Sequence, residues 1–472
     1  MPEYDYIIIG GGTAGCVLAN RLTEDGRHSV LLLEAGGSDR RFWIQVPIGY
    51  GINFYNPRVN WMYMTEPDEG LGGRSGYWPR GKVLGGSSSI NAMVHMRGLP
   101  RDFDDWAAAG NPGWGWEDVL PWFKRIETWE DGENDWRGGS GPVHVSNVAN
   151  QLHPLCRRFI DAAGEIGLTE NPDLNGSQQE GVGAYQLATR DGFRMSAARA
   201  YLRPAMKGRN LDVITGALAS RITFDGRRAT GIRYSRDGQT VTVAARREVI
   251  LAAGSVNSPQ LLQLSGVGPG AVLQAAGVDC LHDLPAVGRN LQDHLCVDHL
   301  YRSKLPTLNQ LYRPWYGKLA IGLRYILTRR GPLSLSVNQA GGYAMSRDGL
   351  DAPNLQLYFC PVSYTKAIPN RRKLLQPDNF PGFLLGAQPC RPTSRGHLHI
   401  TSPDAGDAQK IHPNSLATEH DQQEMIEASR YLLRLADTDA FRAITDSAIR
   451  PDTGPLTDQQ LLDYARAHAG TV

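Results

Sequence analysis

The chain opens on a short apolar run, Tyr6-Ile7-Ile8-Ile9, broken at once by Gly10-Gly11-Gly12-Thr13-Ala14-Gly15. A strand apolar at every position belongs in a sheet covered on both faces. From Cys16 the pattern changes. Val17, Leu18 and Leu22 recur at helical spacing, and Ser29 to Leu33 is a second apolar run ending at Glu34. The N-terminal segment therefore predicts a β-α-β unit. Residues 35 to 80 are rich in Gly, Trp and Asn and show no period, and irregular backbone of that length is usually functional. Alternating positions predict a meander with strands at Leu211–Ile214, Ala229–Tyr234 and Thr240–Ala244, joined by Asp-Gly turns at 225–226 and 237–238. Val249 to Gly254 predicts a buried strand running into a helix, and Gln422 to Leu435 an amphipathic helix.

Composition narrows the class. The 472 residues suggest two or three domains, at roughly 150 residues each. Lys and Arg number 49 against 48 Asp and Glu, a balance that argues against a nucleic-acid partner, which needs a basic surface. The uncharged stretch Val249 to Val278 is long enough to suggest a membrane span. It holds Asn257, Pro259, Gln260, Gln263 and Gln274, so a buried strand, turn and helix explain it better. The six cysteines (16, 156, 280, 296, 360, 390) have no CxxC spacing, which fits free thiols in a reducing compartment. The N-terminus is acidic rather than basic, unlike a signal peptide, and a cytoplasmic location is expected.

Three segments carry chemistry. Gly10-x-Gly12-x-x-Gly15 is extended by Ala19, Leu22, Gly26, Val30 and Glu34, the spacing of a dinucleotide-binding unit. Gly10 permits the tight turn, Gly12 lets backbone approach a pyrophosphate, and Gly15 allows close helix–strand packing. Glu34 is placed to accept hydrogen bonds from ribose hydroxyls; the motif alone does not separate FAD from NAD. The second segment runs from Arg80-Gly81-Lys82-Val83 through Gly85-Gly86-Ser87-Ser88-Ser89-Ile90-Asn91, the third from Gly254-Ser255-Val256-Asn257 to Gly268. His397-x-His399 has the spacing of a metal pair, but strand alternation in Gly396–Ile400 explains it, and no metal is expected.

Together the three segments resemble the glucose–methanol–choline (GMC) family of FAD-dependent oxidoreductases, its bacterial choline and alcohol dehydrogenases in particular. Asn60-Trp61, Arg97-Gly98, Ser196-Ala197-Ala198-Arg199 and Val287-Gly288-Arg289-Asn290 to His294 match as well. The resemblance implies an α/β fold: a doubly wound, Rossmann-like FAD domain plus a substrate domain with a mostly antiparallel sheet and helices on one side. The FAD domain is expected at 1–150 and 190–297, the substrate domain at 151–189 and 298–449, and 450–472 as a remnant leading to a further FAD-domain segment. FAD would be held by Gly10, Gly12, Thr13, Ala14, Gly15, Glu34, Ala35, Val83, Gly86, Ser87, Asn91, Ala92, Met93, Val94, Ala219, Ala253 and Gly254. It would be noncovalent, because Ile90 stands where some relatives carry the linking His.

The implied reaction is oxidation of a primary alcohol to an aldehyde by hydride transfer to flavin N5, while a His takes the hydroxyl proton. Gln339 stands at a substrate position where choline-oxidising relatives have Glu, which disfavours choline. The family's catalytic His is expected beyond Val472, so a truncated chain of impaired activity is anticipated; His95 and His468 are weak candidates within it. Electrons would pass to a quinone or other carrier, with an oxidase using O2 as the alternative and an inactive flavin-binding protein as a third reading. Peripheral contact with the inner face of a membrane is compatible with a quinone acceptor.

Overall fold

The computed structural model describes residues 2–364, 377–451 and 454–472. β1 (Glu3–Ile9), α1 (Thr13–Thr23) and β2 (Val30–Glu34) form the expected unit. The chain then leaves this sheet, passes through α2 (Leu155–Glu165), and returns as β3 (Leu211–Thr215), β4 (Leu218–Asp225), β5 (Arg228–Arg236) and β6 (Gln239–Leu251), followed by α3 (Gly254–Leu264). The strand order is β3-β2-β1-β6-β5-β4, parallel from β3 to β6 and antiparallel beyond. Alternation explains the apolar runs. Ile8, Val30 and Leu32 face α1 and the turn of helix at 198–202, whereas Ile7, Ile9, Leu31 and Leu33 face the meander and Leu261 of α3. The two strands expected at Thr240–Ala244 and Val249–Leu251 are one, β6. The charges between them do not break it, because Arg246 lies at the surface and pairs with Asp5 and Glu3 of β1.

The second sheet comes from β7 (Leu295–Ser303), β8 (Ala340–Ala344), β9 (Leu355–Cys360), β10 (Gly382–Pro389) and β13 (Thr445–Arg450), in the order β8-β9-β10-β7-β13 and antiparallel throughout. Between β7 and β8 lies α4 (Trp315–Thr328); β11 (His397–His399) and β12 (Lys410–His412) form a separate ribbon. One face of the sheet packs on α2, α5 (Glu419–Ala436), α6 (Asp439–Ile444) and α7 (Asp458–His468) through Phe159, Leu432, Phe441 and Leu461. The other face meets Tyr50, Met93, Tyr312 and Tyr325. Residues 454–472, expected as a remnant leading to a further FAD-domain segment, pack with the second sheet. α7 is built into this core, and β14 (Gly470–Thr471) pairs with the start of β7.

A buried charge cluster holds the segment between the sheets. Glu127 accepts from Arg97 Nη2 at 2.7 Å and Arg137 Nη2 at 2.8 Å, and its Oε1 lies 3.1 Å from His95 Nε2. Burial pushes the Glu127 carboxyl up, but hydrogen bonds from His95 and Arg137 overcome it and hold the group well below the usual carboxylate range. Removing one partner of a buried ion pair strands the others, so Glu127→Gln should destabilise the chain by about 3–5 kcal/mol in urea unfolding. A depressed carboxyl contributes stability that is complete above its unfolded value of about 4.3 and lost as pH falls below it, so the gap between wild type and E127Q should shrink on acidification.

Candidate cofactor and active site

The end of β1 turns sharply into α1, and the turn has no room for side chains. A Cβ on Gly10, whose φ is +102°, would lie 2.5 Å from Ala252 O; one on Gly15 would lie 2.0 Å from Gly10 O. The 81–86 loop closes on the same turn. Gly85 N donates to Gly11 O at 2.7 Å, and a Cβ on Gly86 would stand 2.7 Å from Gly12 Cα. Glu34, at the end of β2, is buried; its two oxygens accept from Gly11 N (2.9 Å) and Gly36 N (2.7 Å). Burial nonetheless pushes its pKa up to about 7, against those two bonds and the charge of Lys82.

These parts surround a cavity of about 470 Å³. Gly10, Gly12, Thr13, Ala14, Glu34, Ala35, Gly86, Ser87, Ala219, Ala253 and Gly254 line it, all expected from the sequence. Trp61, Arg80, Asn257 and Gln260 join them from the quoted motifs; Ala217 and Ala405 carry no sequence signal, because only the fold brings them there. Neither α1 nor α3 has a side-chain cap at the end beside the cavity, so first-turn N–H groups stay free for an anionic ligand. This glycine cradle, with an acidic residue ending β2, fits the pyrophosphate and ribose of FAD.

The remaining expected residues lie off the cavity lining. Gly15 packs α1 on β1, and Val83 is buried with Ile44, Val59 and Ile90. Asn91 Oδ1 accepts from Arg194 Nη1 at 2.8 Å; Met93 packs against the second sheet beside Ala92, and Val94 bridges to Leu187. Gln339 is buried, its Oε1 accepting from His153 N at 2.7 Å at the start of α2, so its side chain is committed to the core rather than turned to a ligand. His95 belongs to the Glu127 cluster, and the His468 ring packs on Tyr464 of α7. No histidine is among the described lining residues.

A dinucleotide cradle on a parallel sheet, joined to an antiparallel sheet backed by helices, defines a two-domain flavin oxidoreductase. The GMC oxidoreductase N-terminal model matches residues 4–296 and the C-terminal model residues 392–472, so the chain belongs to this family. It is 42% identical over 468 residues to an oxygen-dependent choline dehydrogenase of Vibrio vulnificus (strain YJ016), covering 98% of this chain and 82% of that protein. The mitochondrial choline dehydrogenase of Mus musculus is 39% identical over 475 residues, covering 99% and 78%. The crystal structure of pyridoxine 4-oxidase from "Mesorbium loti" superposes with a TM-score of 0.88 at 31% identity, over 99% of this chain and 87% of that one. The chain is an FAD-dependent oxidoreductase acting on alcohols. The expectation of a truncated chain of impaired activity, ending before the family's catalytic His, is not supported: the C-terminal model matches residues 392–472, and α7 is packed into the core.

At pH 8, above its raised pKa, Glu34 is mostly ionised, so Glu34→Ala removes charged acceptors worth about 1.5–3 kcal/mol and should weaken FAD at least about tenfold. The flavin-to-protein absorbance ratio after gel filtration measures this, and unchanged retention would reject the assigned role.

Proposed function

We propose that the chain oxidises a primary alcohol to an aldehyde and passes the electrons to a carrier such as a quinone. The observation that supports this reading most is the cavity itself, where the Gly10–Ala14 turn, Glu34 and the Gly86–Ser87 loop meet. When bound, FAD supplies a hydride acceptor. The chain holds it through the first-turn N–H groups of α1 and the Glu34 carboxylate, and Ile90 offers no nitrogen for a covalent link. His95 is a positioning residue, its Nε2 engaged by Glu127.

The named relatives act on choline and on pyridoxine, both primary alcohols. Gln339, expected where choline-oxidising relatives would carry Glu, is an uncharged amide held in the core by His153 N, so that position offers no negative charge to a quaternary ammonium, which supports a neutral aliphatic or aromatic alcohol. With an artificial electron acceptor, a neutral primary alcohol should give a kcat/KM about tenfold above that of choline, a difference of about 1.4 kcal/mol. Anaerobic reduction by the best alcohol should bleach the flavin, and reoxidation in air should be slow. Fast reoxidation with peroxide would make the chain an oxidase, the reading suggested by the oxygen-dependent relative.

A carrier in a bilayer needs a protein that reaches the bilayer. No described helix is long and apolar enough to cross a membrane. α4 buries only Gly317, Ile321 and Tyr325, and exposes Trp315 (76%), Leu323 (51%), Ile326 (61%) and Leu327 (80%). From His299 to Arg347 the chain has no acidic residue, whereas Arg313, Lys318, Arg324, Arg329 and Arg330 lie in or beside the helix. An apolar face with basic neighbours fits an anionic lipid surface. The chain should sediment with anionic phospholipid vesicles, and Leu323→Asp and Leu327→Asp should each weaken binding by about tenfold or more. Binding unaffected by either change would remove the proposal.

A further inference from the structure

The β11–β12 ribbon gathers three histidines that no part of the FAD site uses. His397 and His399 lie two apart on β11 and so share one face. The antiparallel register sets His412 of β12 directly opposite His397, with Leu398 opposite Ile411. The far face of the ribbon, Leu398 and Ile411, is buried against Trp78 and Val256, which fixes the strands. The imidazoles therefore stand together on the outer face, His397 exposed and the other two half-buried.

The ring centroids are 4.6 Å apart for His397–His412, 5.5 Å for His399–His412 and 5.8 Å for His397–His399, with planes within 16° of parallel. One ring nitrogen from each lies within 4.8 Å of the other two. None of these rings has a hydrogen-bond partner among the described residues, so stacking is their only shared contact. Three imidazole nitrogens about 2.0–2.1 Å from a tetrahedral ion stand roughly 3.4 Å from one another. Side-chain torsions alone can close that gap, with the backbone register unchanged. The charged neighbours are Glu66, which acts on His399, and Lys410 and Arg289, which oppose a cation.

We propose that His397, His399 and His412 form a site for one divalent transition-metal ion of the zinc class. Imidazole donors suit Zn²⁺, Cu²⁺ and Ni²⁺ rather than Mg²⁺ or Ca²⁺, and three protein ligands leave one position to water. The ion clamps both ends of the segment joining the two strands. That segment carries Ala405 to the cofactor cavity wall, and Asp407 O accepts from Gln260 Nε2 of α3 at 3.3 Å. The site therefore braces one wall of the cavity and takes no part in the chemistry there.

The flavin-loaded protein, stripped with EDTA, is titrated with Zn²⁺ by calorimetry, and the metal retained after dialysis is measured by mass spectrometry. One Zn²⁺ per chain is expected. His412→Gln should weaken binding by about tenfold or more, and H397Q/H412Q should abolish it. His420→Gln, on α5, should leave it unchanged. Flavin content and the unfolding midpoint in EDTA should match wild type in every variant, because the rings lie on the surface. Substoichiometric binding by wild type, or equal binding by H397Q/H412Q, would overturn the proposal. So would stoichiometric binding of Mg²⁺ in place of Zn²⁺.

Discussion

The architecture depends on backbone meeting backbone at the mouth of the first sheet. Gly85 donates to Gly11, Leu84 to Gly37 and Gly10 to Leu33, so two loops and a strand end are hydrogen-bonded with no side chains between them. A Cβ on Gly36 would lie 1.9 Å from Lys82 O, closer than any real contact. That contact sets where Glu34 and the α1 N-terminus stand, and hence which ligand the cavity accepts. At Gly10, Gly15, Gly36 and Gly86 a Cβ would lie within 2.7 Å of neighbouring backbone, so these four positions of the junction take only glycine.

The buried cluster around Glu127 does a related task at the second sheet. Arg137 is fully buried yet reaches Glu127, Asp173 and Gln186, and Asn175 links Gln186 to the backbone of His95. The segment leading away from Asn91 is thereby held by charge rather than by a strand. Val94 and Ser146 both bridge to Leu187, so the path from cofactor loop to substrate sheet is short and well braced.

The β-α-β unit was legible because a short motif carries both its backbone geometry and its ligand. Only the last two strands of the meander were legible, from their Asp-Gly turns; its first strand, β4, was missed, and Leu211–Ile214, expected in that place, is β3, paired in parallel with β2 at the opposite edge. The fusion of the last strand with the next was hidden by Arg246 and Arg247, whose partners in β1 lie far back in sequence. Ala217 and Ala405 could not be found, since alanine has no chemistry and only tertiary contact gives it a role. The same limit hid His412. The pair at 397 and 399 looked like ordinary alternation, and nothing in the spacing to residue 412 announces the strand register that sets it against His397.

Strand β6 also has a consequence for synthesis. Ile9 pairs in parallel with Leu251, so β1 lacks one of its two neighbours until about 240 further residues have been made. β3, which completes the other side of β2, appears only slightly earlier. At roughly 5–20 residues per second, the apolar strands 6–9 and 30–33 wait on the order of ten seconds or more on the ribosome with unpaired edges. During that time the chain depends on whatever shields nascent apolar segments, and the cofactor has nowhere to bind until Leu251 has emerged.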